Sequence, residues 1–248
     1  MFIRGSMRYG IFSDIHSNLE ALEAVIQAYK KEEIDKYLCI GDIVGYAASP
    51  NQCIEKARAL AMVTVAGNHD QASVNLFSVD YFNHLAKEAI FWTQRALDEA
   101  SRNFLKTLPL VYKNDGLTMV HGTLHDPADF NYMADNDTAL KTLELLENDV
   151  CFVGHTHSPG LFIRSKGAKI HYRQGCDIDI KQNNKYIINV GSVGQPRDGN
   201  PEAAYCVYDT KKKHIQIKRV SYDIKAAAKK IIDAGLPEFL AARLLAGR

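Results

Sequence analysis

Short apolar runs alternate with amphipathic segments over the first 66 residues of the chain. Apolar residues recur at helical spacing from Leu19 to Tyr29, after Ser17 or Asn18 as the N-cap residue. A second helix is predicted near residues 50–60. Apolar runs predict three strands, over residues 7–13, 37–40 and 62–66. Because strand and helix alternate as they do in parallel βαβ units, we predict an α/β fold.

Residues 71–108 interrupt this alternation, because they carry helical patterns and no strand pattern. Leu85, Ala89 and Trp92 fall on one helical face. Phe91 and Trp92 are predicted to pack in a helix core rather than to contact a ligand. We interpret the segment as a helical insertion that caps one edge of the functional site.

The second half of the chain is richer in short strands and turns. Its next predicted elements are strands over residues 110–112 and 117–120, joined as a hairpin, a helix over 136–147 and a strand over 150–153. Residues 160–220 predict a mostly antiparallel second sheet. Residues 222–248 predict two helices that separate at Leu236-Pro237. We predict that residues 1–248 form a single domain.

Composition narrows the partners and the compartment of the protein. The net charge of +1 gives no electrostatic basis for a nucleic-acid or membrane partner. No apolar run approaches the roughly 20 residues that span a bilayer. Residues 1–6 are too short and too polar for a secretory signal, and they are either an added leader or an alternative start before Met7. Five cysteines without a CxxC spacing predict reduced thiols and a cytoplasmic protein.

Polar side chains directly follow five of the predicted strands. The groups are Asp14-Ile15-His16, Gly41-Asp42, Gly67-Asn68-His69-Asp70, His121-Gly122 and Gly154-His155-Thr156-His157. Ligands of α/β sheets bind outside the carboxyl ends of the strands, so we expect these side chains to meet at one sheet edge. Carboxylates, amide oxygens and imidazoles are ligands of divalent cations, and the pattern therefore predicts a metal site.

The spacing within two of these groups bears on the geometry of the site. Asp14 and His16 are two residues apart, so an extended backbone would point both side chains at one ion. His155 and His157 share this spacing, and a turn between them is needed if they serve two different ions. Each group alone also fits a helix cap, a tight turn or a core histidine. Jointly, seven such polar groups would be costly to bury without a cation.

The five groups together resemble the calcineurin-like metallophosphoesterase family in residue type, order and approximate spacing, over roughly residues 7–209. Residues 189–197 are similar to the compact bacterial and archaeal phosphodiesterase-like branch, whereas the helical insertion departs from that branch. The resemblance implies a four-layer α-β-β-α sandwich, in which two sheets pack face to face with helices on the outer sides.

The resemblance also implies two divalent metal ions per chain. One ion would be held by Asp14, His16, Asp42 and His157, and the other by Asp42, Asn68, His121 and His155, with Asp42 bridging. The resulting hypothesis is a metal-dependent phosphoesterase, in which a hydroxide that bridges the ions attacks the phosphorus directly. His69 would protonate the leaving oxygen or stabilise its charge.

Several assignments stay open at the level of the sequence. Asp70 either orients His69 or forms a turn or cap, and Arg197 either binds phosphate or is a surface residue in a turn. His125, Asp126 and Tyr132 either line the pocket or are ordinary loop residues. The ligand types suit Mn²⁺, Fe, Co²⁺, Ni²⁺ or Zn²⁺.

The substrate is expected to be a small phosphorylated molecule, as a diester or a monoester, and a homo-oligomer is compatible with the sequence. The alternatives are a nuclease, against which the near-neutral charge argues, and a catalytically weak interaction scaffold of the same fold. The presence of His69 favours an enzyme over a scaffold.

Overall fold

The computed structural model describes residues 6–60, 63–114, 116–175 and 177–248. The strands of these residues are β1 Arg8–Phe12, β2 Lys36–Cys39, β3 Val63–Thr64, β4 Val111–Lys113, β5 Thr118–Val120, β6 Val150–Val153, β7 Gly160–Ser165, β8 Ile170–Gln174, β9 Asp177–Asp179, β10 Asn184–Asn189, β11 Ala203–Asp209 and β12 His214–Val220. The helices are α1 Leu19–Tyr29, α2 Pro50–Ala59, α3 Asn68–Ser73, α4 His84–Ala96, α5 Glu99–Lys106, α6 Asn136–Leu145, α7 Ile224–Asp233 and α8 Glu238–Ala246.

Within the described residues, the strands form two mixed sheets of six strands each. The first sheet has the order β3-β2-β1-β11-β12-β9, and the second has the order β4-β5-β6-β10-β7-β8. In each sheet three neighbouring strands run parallel, namely β1, β2 and β3 in the first and β5, β6 and β10 in the second. The parallel strands carry the polar groups at their carboxyl ends, so each sheet brings several of these groups to one of its edges.

The two sheets pack face to face and helices cover their outer faces. Ile11 and Leu38 of the first sheet share an apolar cluster with Phe152 and Ile188 of the second. Phe12, the neighbour of Ile11, points to the opposite face and packs under α1 and α2, because side chains alternate along a strand. Helix α6 covers the second sheet. Both faces of β1 are therefore buried, which explains its unbroken apolar run and confirms the predicted four-layer sandwich.

Most of the predicted elements are confirmed. Asn18 caps α1, because its side chain accepts a hydrogen bond from the backbone N–H of Ala21 at 3.1 Å. The predicted helices near 50–60 and 136–147, the β4–β5 hairpin and the two C-terminal helices are also present. Predictions for residues 1–5, Met62, Asp115 and Cys176 lie outside the described residues.

The prediction that residues 160–220 form a mostly antiparallel second sheet is wrong, because their strands divide between the two sheets. Strands β7, β8 and β10 join the second sheet, whereas β9, β11 and β12 complete the first. Strand β11 pairs antiparallel with β1, with Gly10 opposite Val207. This pairing joins positions almost 200 residues apart, and a local strand pattern carries no information about it.

The helical insertion is part of the core. Leu97 and Leu105 pack in the cluster under α1 and α2, and Ala89 packs against α7 and α8. Phe91 is exposed, so its predicted core position is wrong, whereas Trp92 is half-buried and donates to the carbonyl of Ala234. Among the described residues, no helix combines the length and the apolar character needed to cross a membrane.

Candidate metal centre

Five strand ends meet at one place, but they belong to two sheets. Strands β1, β2 and β3 come from the first sheet, and β5 and β6 come from the second. The expectation of a single sheet edge is therefore wrong. Because the sheets are packed against each other, their carboxyl ends lie side by side and deliver the predicted residues to a common buried site.

The backbone at these strand ends turns sharply. Asp14, His16, Asp42, His155 and His157 have φ values of 55°, 49°, 52°, 68° and 59°, all in the left-handed region. Such conformations cost roughly 1–3 kcal/mol at each non-glycine residue and concentrate at functional sites. The prediction of an extended backbone from Asp14 to His16 is wrong, although both side chains reach the same site. The backbone also turns at His155 and His157, which is the condition for these two side chains to serve two different ions.

Two groups of side chains have the spacing of metal ligands. Their ligand atoms lie within 4.8 Å of one another, and the groups are Asp14, His16, Asp42 and His157, and Asp42, His121 and His155. His157 Nε2 lies 3.2 Å from Asp14 Oδ1, and His121 Nε2 lies 3.3 Å from Asp42 Oδ2. Asp42 belongs to both groups, so its carboxylate stands between them.

Backbone carbonyls fix the orientation of three of the imidazoles. The Nδ1 atoms of His16, His121 and His157 lie 3.1, 2.7 and 2.6 Å from the carbonyl oxygens of Val44, Ile40 and Gln195. Each Nδ1 therefore carries the proton that the carbonyl accepts, and each Nε2 faces the site.

Nitrogen atoms also face one another across the site. His16 Nε2 lies 3.0 Å from His157 Nε2, and His121 Nε2 lies 3.0 Å from His155 Nδ1. Two nitrogen lone pairs at this distance repel each other unless a cation or a proton lies between them. This geometry fits a set of metal ligands.

The carboxylates are anchored through one oxygen only. Asp14 Oδ2 accepts a hydrogen bond from the backbone N–H of His155 at 3.1 Å, and Asp42 Oδ1 accepts one from His69 at 2.9 Å. The other oxygens, Asp14 Oδ1 and Asp42 Oδ2, are buried and accept no hydrogen bond of good geometry from the described residues, and neither does Asn68 Oδ1. Buried acceptors without donors are costly, and divalent cations would satisfy all three.

The charges of the site are distributed unevenly. Burial alone would raise the pKa values of Asp14 and Asp42, but the surrounding histidines outweigh it and hold both well below the usual range. Burial lowers the pKa of His155 and of His157 to about 3. Burial also opposes the charge on His121, yet Asp42 and Asp14 raise its pKa to about 9. At neutral pH two ionised carboxylates therefore face the protonated imidazole of His121 and the neutral imidazoles of His155 and His157.

His69 lies beside the ligand groups, in the first turn of α3. Its ring packs edge-on against His16 and Phe82, with centroids 4.8 and 4.9 Å apart, and it lines the cavity above the site. Burial holds the pKa of His69 well below its usual value, so the imidazole is neutral at pH 7. Its Nδ1 is buried and has no hydrogen-bond partner among the described residues.

Asp70 has a structural role. Its carboxylate accepts hydrogen bonds from the backbone N–H groups of Val44 and Gly67, both at 3.1 Å. Burial, followed by the charge of Asp42, raises its pKa to about 7. Since Asp70 makes these bonds and none to the imidazole of His69, the cap role is the one observed, and the alternative that it orients His69 is wrong.

Two glycines allow the loops to approach one another. A Cβ atom at Gly67 would lie 2.0 Å from Asp42 Oδ1, and one at Gly154 would lie 2.0 Å from Ser13 Oγ and 2.7 Å from Asp14 Oδ2. Both distances are far below van der Waals contact. The glycines thus belong to the site because any side chain would displace the two anchored carboxylates.

Arg197 lines the same cavity as His69. Its Nη2 donates to Gln195 Oε1 at 2.9 Å and to the hydroxyl of Tyr46 at 3.4 Å, and its Nε is buried without a partner in the described part of the chain. Its guanidinium lies 5.7 Å from the ring centre of Tyr46, and that of Arg243 in α8 lies 6.0 Å from it. Burial and the charge of Arg197 lower the pKa of Arg243.

The cavity above the ligand groups has a volume of about 260 Å³ and an aromatic wall. We use the term aromatic wall for Tyr46, Phe77, Tyr81, Phe82, Phe130 and Tyr132. Of this wall, the sequence indicated only Tyr132, as one of two alternatives. His125 and Asp126 lie outside the cavity and pair with each other at 3.1 Å, so they are ordinary loop residues. The sequence signal that could have indicated part of the aromatic wall was the cluster of three aromatic residues within 77–82.

The fold and the site together define an α/β sandwich with a buried carboxylate and histidine centre of the metallophosphoesterase type. A family model described as the Calcineurin-like phosphoesterase superfamily domain matches residues 7–213 of this chain. The chain therefore belongs to the calcineurin-like phosphoesterase superfamily, as its resemblance implied.

Relatives extend over almost the whole chain. An uncharacterized protein of Methanocaldococcus jannaschii, MJ0912, is 41% identical over 244 residues, covering 96% of this chain and 97% of the relative. The crystal structure of a metallophosphoesterase from Sphaerobacter thermophilus is 35% identical, with a TM-score of 0.85, and covers 98% of this chain and 100% of that one. A hypothetical protein of Pyrococcus horikoshii shares the fold at 21% identity and a TM-score of 0.78, over 97% of this chain and 98% of its own.

Proposed function

We propose that this protein is a metal-dependent phosphoesterase that holds two divalent cations. Asp14, His16 and His157 would bind one cation, and Asn68, His121 and His155 would bind the other, with Asp42 shared. The support is the position of Asp42 in both ligand groups and the three buried oxygens that lack donors. Mn²⁺, Fe, Co²⁺, Ni²⁺ and Zn²⁺ all suit this ligand set.

The bound cations would supply a water of lowered pKa and positive charge beside the phosphate oxygens. Asp14 and Asp42 keep this part of the site negatively charged at neutral pH, because their pKa values are low. In this proposal the aspartates and histidines of the centre serve as metal ligands, so none of them would attack the phosphorus. We therefore propose direct displacement by water, without a covalent protein intermediate.

His69 and Arg197 would act on the substrate itself. The neutral imidazole of His69 favours donation of a hydrogen bond to the leaving oxygen, whose basicity rises as the ester bond breaks. The guanidinium of Arg197 donates only to neutral groups here, and its unpaired Nε suits a phosphate oxygen. Both residues line the cavity, although they lie 128 positions apart in the chain.

The observation that carries the proposal is the pair of ligand groups that share Asp42. The test is hydrolysis of bis-p-nitrophenyl phosphate, a diester, and p-nitrophenyl phosphate, a monoester, with added Mn²⁺ and with EDTA. We expect metal-stimulated release of p-nitrophenolate that EDTA abolishes. Absence of activity with every one of the five metals would contradict the proposal and favour the interaction scaffold.

A further inference from the structure

Two tyrosines stand at the mouth of the cavity. Tyr81 follows α3 in the helical insertion and is 80% exposed, and Tyr132 lies in the loop after β5 and is 52% exposed. Both line the cavity above the ligand groups. Large aromatic side chains that are exposed at the rim of a polar cavity are available to a ligand.

Each tyrosine rests on a second ring. Tyr81 stacks on Phe77, with centroids 5.2 Å apart and planes inclined by 27°, and Phe77 meets the edge of Phe130 at 5.1 Å. Tyr132 stacks on His155 at 4.0 Å, with planes inclined by 13°. The ring faces are thus held in place by packing, so a stacking partner would lose little additional side-chain freedom on binding.

The backbone under this rim is constrained as well. Phe130 is buried and has a φ of 51°, which is an outlier for a bulky aromatic residue. A Cβ atom at Gly122 would lie 2.5 Å from the carbonyl oxygen of Asn131, so the loop lies directly on the strand end. Strain of this kind persists where the surrounding structure fixes it, and here it places Tyr132 over the site.

Two polar side chains of complementary character, Asn83 and Asp129, also line the cavity. Asn83 uses its side-chain oxygen to cap α4 at Ala86, at 3.0 Å, which leaves its amide N–H groups as donors. Asp129 lines the same cavity and offers only acceptors when ionised. A ligand edge that suits both must carry an acceptor and an N–H donor.

We propose that the cavity binds a nucleobase with an exocyclic amino group, stacked against Tyr81 and Tyr132, so that the substrate is a nucleotide ester. This inference rests on the proposed phosphoesterase function. A planar heteroaromatic ring offers the π-face that exposed tyrosine rings stack on, and its amino group and ring nitrogens are complementary in hydrogen bonding to Asp129 and Asn83. A sugar phosphate or an alkyl phosphate would leave both faces and both polar groups without partners.

Two esters with the same leaving group and the same charge test this proposal. The Mn²⁺-loaded protein is assayed with adenosine 5′-p-nitrophenyl phosphate and with methyl p-nitrophenyl phosphate. We expect kcat/KM to favour the adenosine ester by at least about tenfold, as base stacking on aromatic side chains typically provides. The inosine ester, which lacks the amino group, should fall between the two.

Substitutions of Tyr81 and Tyr132 test whether these side chains cause the preference for the adenosine ester. Tyr132→Leu and Tyr81→Leu should each reduce the adenosine-to-methyl ratio several-fold, whereas Tyr132→Phe should keep it because the stacking face remains. The matched control is Phe91→Leu, which removes an exposed aromatic ring of the insertion that does not line the cavity. An equal effect of Phe91→Leu would mean that the ratio reports general damage rather than stacking.

A binding measurement separates this inference from the proposed function. Calorimetry compares phosphonate analogues of AMP and of ribose 5-phosphate, in which carbon replaces the ester oxygen so that hydrolysis is excluded. The AMP analogue should bind at least about tenfold more tightly. If neither p-nitrophenyl ester is hydrolysed, the proposed function fails while the binding ratio still decides the inference. Equal affinities, or equal kcat/KM for the two esters, would overturn it.

Discussion

The carboxylate of Asp42 accepts a hydrogen bond from the backbone N–H of His69 at 2.9 Å. The bond uses Oδ1, and Oδ2 stays buried, 3.3 Å from His121 Nε2. The side chain of Asp42 belongs to both ligand groups, and this hydrogen bond links it to the first turn of α3, which carries Asn68 and His69. Any change that moves Asp42 is expected to alter metal binding and the position of the leaving-group residue together.

Asp42→Asn should separate what the charge of this side chain contributes to metal binding from what its shape contributes. The amide can still accept the hydrogen bond from His69, but the negative charge between the ligand groups is lost. We expect metal content after dialysis to fall and phosphoesterase activity to drop at least about 100-fold. In EDTA the melting temperature should fall, because the carboxylate that pairs with protonated His121 has been removed. Full metal content and activity in the variant would exclude Asp42 as the shared ligand.

Metal analysis by mass spectrometry and thermal unfolding measure these two effects. The matched control is Asp137→Asn, an exposed carboxylate in the first turn of α6 that is remote from the site. It should change neither metal content nor activity.

Gly67→Ala tests the close approach of the two loops. The added Cβ would lie 2.0 Å from Asp42 Oδ1, so the carboxylate or the loop must move. We expect a folded protein with a lower melting temperature and weaker Mn²⁺ binding in calorimetry. Gly116→Ala is the control, because its Cβ would meet only Asn114 Oδ1 at 3.6 Å. Equal melting temperatures and equal affinities for the two variants would show that the loops tolerate a side chain at Gly67.

Much of this site could be predicted from the sequence, because its residues directly follow apolar runs. Strand β1 is apolar on both faces, so its continuous apolar run marks the position in the sequence at which the strand ends, before Asp14. The same holds for β2 before Asp42 and β6 before His155. The number of domains stays a prediction.

Other features depend on contacts that are distant in the chain. The pairing of β1 with β11 decides which sheet each late strand joins, and no local pattern encodes it. The left-handed backbone at Asp14 and His16 occurs without glycine, so these turns could not be predicted from residue type. The aromatic wall combines Tyr46 with residues of the insertion and of a loop about 50 residues further along the chain, and no local pattern relates these three segments.

The protonation of His121 predicts how metal binding depends on pH. With a pKa of about 9, His121 carries a second proton, on Nε2, at pH 7, whereas His155 and His157, with pKa values of about 3, are neutral. A cation must displace that proton, so Mn²⁺ affinity at the His121 group should rise up to about tenfold per pH unit from pH 7 to 9 and then level off.

Calorimetry at pH 7 in two buffers with different heats of ionisation measures the proton that is released. We expect about one proton per chain at pH 7, about half a proton at pH 9 and close to none at about pH 10. Uptake of protons, or an affinity that does not change between pH 7 and 8.5, would contradict this distribution of charge.

His69→Ala tests the role of this residue at the leaving oxygen. The side chain belongs to neither ligand group, so metal content should be retained. Loss of hydrogen-bond donation should slow hydrolysis of an ester with a poor leaving group by about 10²–10⁴-fold, and affect p-nitrophenyl esters much less. The ratio of the two rates is the measurement. A uniform decrease for both esters would indicate damage to the metal centre, and unchanged turnover of the poor ester would remove His69 from the mechanism.

Arg197→Ala tests whether this guanidinium binds the phosphate. The half-buried side chain of Arg197 donates only to neutral groups in the cavity, so an anionic substrate would be its first charged partner. We expect KM and the inhibition constant of inorganic phosphate to rise together, by about 10–100-fold, since a hydrogen bond to a charged group contributes about 1.5–3 kcal/mol. Arg197→Lys should recover only part of the loss, because an ammonium group replaces two aligned donors with a single charge.

Metal content should stay constant, and the exposed Arg95 on α4 provides the control substitution Arg95→Ala. If phosphate inhibits Arg197→Ala as strongly as it inhibits the unaltered protein, Arg197 is a surface residue of its turn and the phosphate is held by the metal centre alone.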